Sequence, residues 1–312
     1  MANTYGKVSG TFQEIQNAYA KVSGAWQEAD EIYGKVSGVW KLVFSAFRAT
    51  SFVTESSGSG TFTVPAQANA IHIQAAVGGG GGSIKGADYD KAGGESQGPG
   101  GGSGAFISDK VFSVTAGETI SFSIGAGGAA NNSGNQFSLS ASGGASTTLS
   151  GSSAGALFTL GGGGGSSGLN GGVKGPLRTN TAGTAGTASG IATAITSGTF
   201  KNSSGTNVNV SSLNGGPVGT FNQSGNGAVG DITGNGNCGG DNCRIGGADG
   251  ADSYSGNVAG GTGGSSSGSG TNGTAGTRGS GGGGGAAQTN IGRTSGGNGG
   301  SGEIQYRFIR VQ

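Results

Sequence analysis

The sequence predicts an all-β protein combined with polyglycine-II helices, the glycine form of the polyproline-II helix. The first observation is a 14-residue repeat near the start, and the second is a set of alternating apolar segments between residues 49 and 160. The third is residues 161–302, where glycine accounts for 48 of 142 residues and Val, Leu, Ile and Phe together for only 16. These observations predict N-terminal β-hairpins, a small β-sandwich and a brick of packed polyglycine-II helices.

The repeat predicts small β-hairpins in a first unit, residues 1–48. Its copies at 5–13, 19–27 and 33–41 share the pattern Tyr-x-Lys-Val-Ser-Gly, followed one residue later by Phe or Trp. A period of 14 also fits two heptads of a coiled coil. Against a helix, each copy has a central Ser-Gly pair, and a glycine inside a helix costs about 1 kcal/mol. Aromatic and β-branched residues on both sides of Ser-Gly favour strand, turn and strand.

Residues 49–160 form the second predicted unit, a β-sandwich, because only they contain enough apolar residues for a conventional core. The alternating pattern predicts strands at residues 61–65, 70–77, 105–107, 110–114 and 119–124. Residues 303–312 form a further alternating segment at the end of the sequence. A strand this apolar needs a sheet to join, so we expect it to return to the sandwich as the closing strand.

Residues 161–302 are too poor in large apolar side chains for an ordinary core. Val, Leu, Ile and Phe make up only 53 of all 312 residues, and this low fraction favours disorder. The net charge of +1 argues against disorder, because disordered chains usually carry a high net charge. Collagen is a poor fit, because the glycine spacing is irregular and the chain has only four prolines. Packed polyglycine-II helices remain, because their outward N–H and C=O groups can bond neighbouring helices where nothing larger than glycine intervenes.

The order of these motifs resembles the glycine-rich domain of bacteriophage tail fibres and tail tips. The resemblance rests on Phe-Thr-Val-Pro at 62–65, five glycines at 78–82, the segments 114–120 and 124–128, and the closing run 296–304. The Tyr-x-Lys-Val-Ser-Gly repeats resemble those at the head of many phage tail proteins. The resemblance implies a virion protein at the end of a tail or fibre, with polyglycine-II helices carrying receptor-binding loops. This chain departs from it in size, since 161–302 exceeds the minimal domain and 191–218 is poor in glycine runs.

Catalysis finds little support in the sequence. The only histidine, His72, lies in the middle of a predicted strand, which favours a structural position. The G-x-S-x-G matches at 151–155 and 164–168 are expected by chance in a chain so rich in Gly and Ser. We therefore expect no enzyme, no cofactor and no metal site. With 16 basic and 15 acidic residues, we also expect no nucleic-acid partner.

Binding chemistry is expected in the loops between glycine runs, where aromatic and charged side chains interrupt the small residues. The candidate receptor contacts are Tyr89, Arg178, Phe200, Phe221, Arg244 and Tyr254. The alternative is that the aromatic residues fix the loops to the body. Cys238 and Cys243 lie in a polar, loop-like stretch, and they are either a disulfide formed in an oxidising exterior or two free thiols.

Three functions are compatible with these features. The first is a tail-fibre or tail-tip protein that attaches the virion to a bacterial surface receptor, either an outer-membrane protein or a glycan. The second is a structural tail component without a receptor site, and the third is a secreted glycine-rich matrix protein, which the absence of a signal peptide disfavours. For the first two, we expect assembly in the host cytoplasm and attachment to other tail proteins through residues 1–48. The chain then forms a homotrimer or, alternatively, a monomeric cap.

Overall fold

The computed structural model describes most of the chain. Its described residues are 5–8, 11–14, 18–29, 31–84, 98–132, 138–169, 179–213, 224–225, 244–245, 260–263, 271–285, 287–288 and 294–312. Apart from one short helix, the regular elements in these ranges are β-strands. The prediction of an all-β fold is therefore confirmed.

The repeats form three separate antiparallel hairpins, as predicted. Their strands are β1 (Tyr5–Val8), β2 (Thr11–Glu14), β3 (Ala18–Val22), β4 (Ala25–Ala29), β5 (Glu31–Val36) and β6 (Val39–Ser45). In the second hairpin, Ser23 and Gly24 have φ values of 51° and 86°. A two-residue turn with both φ values positive has the twist that joins adjacent strands, and this explains why Ser-Gly recurs at the same position in each repeat.

The remaining strands belong to the body of the protein. They are β7 (Val53–Glu55), β8 (Ser59–Thr63), β9 (Ala70–Val77), β10 (Phe106–Ser113), β11 (Thr119–Ser123), β12 (Ser138–Ser140), β13 (Thr147–Gly151), β14 (Gly155–Leu160), β15 (Ser167–Leu169), β16 (Thr179–Thr181), β17 (Ala188–Ser189), β18 (Thr199–Lys201), β19 (Asn207–Asn209), β20 (Ser224–Gly225), β21 (Arg244–Ile245), β22 (Ala287–Gln288) and β23 (Glu303–Ile309). The short helix α1 (Val210–Leu213) follows β19 directly.

Two five-stranded antiparallel sheets enclose the main hydrophobic core. One has the strand order β20-β10-β9-β23-β7, and the other has the order β17-β14-β13-β11-β8. Alternate residues of both sheets point into the core, where Phe112 and Phe158 are fully buried and Phe62 stacks on Tyr306 at 4.4 Å. The closing strand β23 lies between β9 and β7, which confirms that the end of the chain returns to the sandwich.

A second apolar cluster covers the outer face of the first sheet. Val111 and Ile309 point to this face, whereas their neighbours Phe112 and Phe308 point into the main core. Phe200 in β18 and Val210 in α1 pack against them. Residues 199–213 therefore cover one face of the sheet.

Beyond the sandwich lies a brick of extended glycine-rich runs, each of which we call a rod. The central rod is residues 78–84, and all seven of its residues are buried. Its N–H groups bond to three other rods in strict rotation. The N–H groups of Gly78 and Gly81 donate to carbonyls of rod 98–105, and those of Gly79 and Gly82 donate to carbonyls of rod 141–146. The N–H groups of Gly80 and Ser83 donate to carbonyls of rod 294–302. A β-strand would alternate between two neighbours, whereas the central rod bonds to successive neighbours with a period of three residues.

The carbonyl groups of the central rod follow the same period with three further rods. Gly79 and Gly82 accept from rod 161–166, Gly80 and Ser83 from rod 124–131, and Gly81 and Ile84 from rod 279–285. The six outer rods also bond to one another in a closed ring, in the order 98–105, 161–166, 141–146, 124–131, 294–302 and 279–285. This part of the chain has too few large apolar side chains for a core, and backbone hydrogen bonds between the rods take its place.

The rods come from both sides of residue 160. The central rod and three of its neighbours belong to residues 49–160, and the other three belong to 161–302. This mixing arises because rods continue directly from sandwich strands: β9 leads into the central rod, and rod 98–105 leads into β10. Further rods at 182–187, 260–263 and 271–277 bond to the outside of the ring.

Candidate binding face at the free end of the brick

The brick has one end at the sandwich and one free end. Rods 98–105, 141–146 and 294–302 run into β10, β13 and β23, so their last residues adjoin the sandwich. The central rod leaves the sandwich at Gly78 and reaches the free end at Ile84. The central rod therefore ends at the free end, and rod 98–105 begins there.

The described residues at the free end are joined closely across the rods. The Ile84 carbonyl accepts from the Gly285 N–H at 3.1 Å, and the Gly285 carbonyl accepts from the Gly98 N–H at 2.8 Å. Ile84 also forms a parallel β-bridge with Asn131 and is only 3% exposed. The free end therefore has a closely bonded base, to which the connecting segments are attached.

Asparagine side chains complete the hydrogen bonding where rods end. Asn132 pairs with the Gly296 backbone in both directions, accepting from its N–H at 2.8 Å and donating to its carbonyl at 3.2 Å. Asn131 donates to the Ser140 carbonyl, and Asn272 accepts from the Ser295 N–H at 2.8 Å. An amide side chain carries the same donor and acceptor as a peptide group, so it can replace a missing neighbour.

Connecting segments leave this base at several points. Residues 85–97 join Ile84 to Gly98, residues 133–137 join Asn132 to Ser138, and residues 170–178 join β15 to β16. Near the same end, β21 pairs with β22, which follows rod 279–285 by one residue. In this pair the backbone of Arg244 lies opposite Gln288.

The candidate contact residues fall in different parts of this arrangement. Tyr89, Arg178, Phe221 and Tyr254 lie outside the described residues, as do Cys238 and Cys243. Tyr89 belongs to the segment between Ile84 and Gly98, and Arg178 directly precedes β16. With the backbone of Arg244 in β21, three of the six candidates belong to segments attached at or near the free end.

Phe200 lies elsewhere, in the second apolar cluster. Its side chain is fully buried, and the guanidinium of Arg307 lies 5.2 Å from the centre of its ring. Phe200 therefore packs the outer face of the sandwich, and a receptor could contact its ring only if this cluster opened.

His72 lies at the centre of a polar network on the first sheet. It is 2% exposed, its Nδ1 accepts from the Arg307 Nε at 3.1 Å, and its Nε2 lies 3.2 Å from the Asp109 carboxylate. Since Nδ1 is an acceptor here, the ring proton resides on Nε2 and bonds to Asp109. Burial lowers the pKa of Arg307, and the Asp109 charge opposes that shift. The Arg307 guanidinium also stacks over Phe52 at 4.5 Å. Every polar atom of the His72 ring is thus bonded to a neighbouring strand.

Sequence reasoning did not single out Glu118. Its carboxylate is largely buried and accepts from three backbone N–H groups, at 2.6 Å from Thr115, 2.8 Å from Ser153 and 3.1 Å from Ala154. It therefore joins its own turn to the turn between β13 and β14. The local Ala-Gly-Glu sequence indicates only a turn, because the second turn is more than 30 residues away in the chain.

The described part of the chain contains no group of three His, Cys, Asp or Glu residues placed to hold a metal ion. Among its helices, none has the length and apolar character needed to cross a membrane.

An all-β sandwich whose strands continue into a glycine-rich brick defines the class of this protein. A sequence model of the glycine-rich domain family matches residues 54–309. Because that range covers most of the chain, the protein belongs to this family. The match begins in β7 and ends with β23, so it includes the sandwich and the brick but not the hairpins. No curated protein matches the sequence.

Proposed function

We propose that this chain is a bacteriophage tail-fibre or tail-tip protein that attaches the virion to its bacterial host. The free end of the brick would carry the receptor-binding loops, and residues 1–48 would join the chain to other tail proteins. The receptor is an outer-membrane protein or a surface glycan. The protein acts in the virion, without enzymatic activity, after assembly in the host cytoplasm.

The observation that carries this proposal is that connecting segments leave a rigid base at one end. The described rods are joined to one another by backbone hydrogen bonds, and segments 85–97, 133–137 and 170–178 connect successive elements of the chain at this end. Binding residues are commonly found on loops that a rigid scaffold holds in position. Segments 85–97 and 170–178 also contain tyrosine, arginine and lysine, which are absent from the rods they connect. Rods of the polyglycine-II type are part of the proposal.

The second candidate is a structural tail component without a receptor site. It is favoured by the asparagine residues at the free end, since Asn131, Asn132 and Asn272 use their side chains to complete the brick. A scaffold needs no more than such closed ends. The two candidates differ in one outcome, which is whether the isolated body binds host cells.

A fragment of residues 49–312 tests the proposal. It retains both sheets, the brick and the closing strand, so we expect it to fold, to bind host cells and to compete with virions for adsorption. Because it lacks the hairpins, it should be absent from assembled particles. The matched control is the full chain, which should enter particles. A folded fragment that neither binds cells nor competes with virions would leave the structural candidate, and its recovery in particles would show that residues 1–48 are not the attachment region.

A further inference from the structure

The N-terminal hairpins expose more large apolar side chains than any other described part of the molecule. Six of the seven exposed large hydrophobic residues lie in the second and third hairpins, and the seventh is Val53. The most exposed are Trp26 at 70% and Trp40 at 67%. An isolated two-stranded sheet is at best marginally stable in water. These hairpins therefore need a partner that covers them.

The exposed rings lie on equivalent faces of the two hairpins. Lys21 is the cross-strand partner of Trp26, and Tyr19 lies two residues from Lys21, so all three side chains share one face. In the third hairpin, Lys35 pairs with Trp40, and Tyr33 lies on the same face. We call these two surfaces the aromatic faces. They recur because the sequence repeats every 14 residues.

We propose that the aromatic faces bind the aromatic faces of a second copy of this chain. The four rings, 52–70% exposed, present roughly 500 Å² if each side chain has about 200 Å² of surface. A stable interface buries about 800 Å² on each partner. The rings alone thus supply more than half of what one partner contributes, and the strands around them can supply the rest.

Charge complementarity favours a second copy over an unrelated protein. In the second repeat, the basic Lys21 lies on the first strand, and the acidic Glu28 occupies the register position opposite Tyr19 on the second strand. The first repeat has Lys7 and Glu14 at the same spacing. In a twofold contact, a residue meets its counterpart reciprocally, so each lysine can lie beside the other copy's glutamate. In the third hairpin, Leu42 occupies the position equivalent to Glu28, so of the two aromatic faces only that of the second hairpin carries this reciprocal charge pair.

The inference adds an assembly surface to the proposed function but does not depend on receptor binding. Failure of self-association and failure of cell adsorption are therefore separate results. The test uses sedimentation velocity of the full chain over a concentration series. We expect self-association of the wild type, and in a Trp26→Thr/Trp40→Thr variant an increase of at least tenfold in the dissociation constant. Threonine retains strand propensity, and an unchanged melting temperature of the body would show that the chain still folds.

Two further variants make the test specific. Val53→Thr removes an exposed apolar side chain outside the hairpins and should leave the dissociation constant within about twofold of wild type, since single surface substitutions have small effects. Lys21→Glu should weaken association several-fold, and Lys21→Glu/Glu28→Lys should restore it. A wild type that stays monomeric at every concentration overturns the proposal. Tight association of the double tryptophan variant, or no recovery in the charge-swapped variant, overturns it as well.

Discussion

Ser83 and Gly297, 214 residues apart in the sequence, are hydrogen-bonded through both backbone and side chain. The Ser83 N–H donates to the Gly297 carbonyl at 3.0 Å, and the Gly297 N–H donates to the Ser83 hydroxyl at 2.8 Å. The same hydroxyl lies 2.5 Å from the Gly283 carbonyl. One buried side chain therefore joins the central rod to two rods of the ring, close to the free end.

We expect Ser83→Ala to lower the free energy of unfolding by about 1–2 kcal/mol. The substitution keeps the Cβ but removes the bonds of the hydroxyl to the Gly283 carbonyl and the Gly297 N–H, and each such hydrogen bond contributes about 0.5–1.5 kcal/mol. Chemical denaturation measures the effect. Ser142→Ala is the control, because Ser142 is exposed and lies in another rod of the same ring. Equal stability of the two variants would contradict a bonding role for the Ser83 hydroxyl.

Glycines whose Cα faces the backbone of a neighbouring rod should be essential for the packing of the rods. A Cβ on Gly163 would overlap the Gly102 carbonyl, and one on Gly283 would overlap the Thr262 carbonyl. We expect Val at either position to cost about 3 kcal/mol or more, since overpacking of a close-packed site typically costs 1–3 kcal/mol and backbone cannot move aside as a side chain can. The melting temperature should fall accordingly.

Gly143→Ala is the matched control for this experiment. Gly143 belongs to the same ring, but a Cβ there would lie no closer than 3.2 Å to the nearest heavy atom, the Gly163 carbonyl oxygen. The change should cost less than about 1 kcal/mol. If the variants at Gly163 and Gly283 were as stable as the one at Gly143, the rods could not be packed as described.

Much of the fold could be predicted from the sequence because its signals are local. The Ser-Gly pair predicts the hairpin turns at Ser23 and Gly24, and the alternation of residues 303–311 predicts the closing strand β23. Glycine-rich composition predicts rods bonded through their backbones. In each case, the determining residues are neighbours in the chain.

What could not be predicted is which segments meet. Gly78 to Ile84 form the central rod, although a run of five glycines also occurs at 161–165 and at 281–285. Nothing in a glycine run distinguishes one neighbour from another, so the arrangement depends on the sandwich strands that fix each rod. Phe200 illustrates the same limit, because an aromatic residue among small polar ones fits a surface contact as well as a distant apolar cluster.

The Glu118 carboxylate should contribute to stability by joining two turns. Glu118→Ala would leave three backbone N–H groups without their acceptor, whereas Glu118→Gln would keep one oxygen and lose the charge. We expect losses of about 2–3 kcal/mol for Ala and about 1 kcal/mol for Gln in chemical denaturation. Glu31→Gln, on an exposed hairpin residue, should change stability by less than about 0.5 kcal/mol. An Ala variant as stable as this control would show that the two turns do not depend on Glu118.

Tyr306 should make folding sensitive to alkaline pH. Burial, with a further contribution from the Glu55 charge, raises the pKa of its phenol from 10.0 to about 12. The unfolded chain loses this proton near pH 10 and the folded chain only near pH 12, so the contribution to stability is complete below pH 10 and is lost between these values.

Tyr306→Phe tests this directly, because it keeps the ring that stacks on Phe62 but has no proton to lose. We expect the variant to lose less stability than the wild type between pH 10 and pH 12. In a tyrosinate absorbance titration, it should also lack the late ionisation of the wild type. Tyr19→Phe, at an exposed position, is the control and should retain both properties. A late ionisation that persists without Tyr306 would assign it to another tyrosine.

Alanine substitutions of the candidate contact residues should separate binding from folding. The positions are Tyr89, Arg178, Phe221, Arg244 and Tyr254. We expect each variant to keep a melting temperature close to that of the wild type, since four of these residues lie on segments that join the elements of the body and Arg244 lies in the two-residue strand β21. Adsorption to host cells should fall for those that contact the receptor, by tenfold or more at a true hot spot of about 2 kcal/mol.

Phe200→Ala provides the opposite control in this series. Its ring is fully buried beside Arg307, so its loss should lower the free energy of unfolding by about 3–5 kcal/mol. Any decrease in adsorption should then follow the fraction of unfolded protein, and it should disappear at a temperature where the variant is folded. For the loop variants, the decrease should persist at that temperature. If all five loop variants adsorb as the wild type does while Phe200→Ala only loses stability, the receptor site lies elsewhere or the protein is a structural component of the tail.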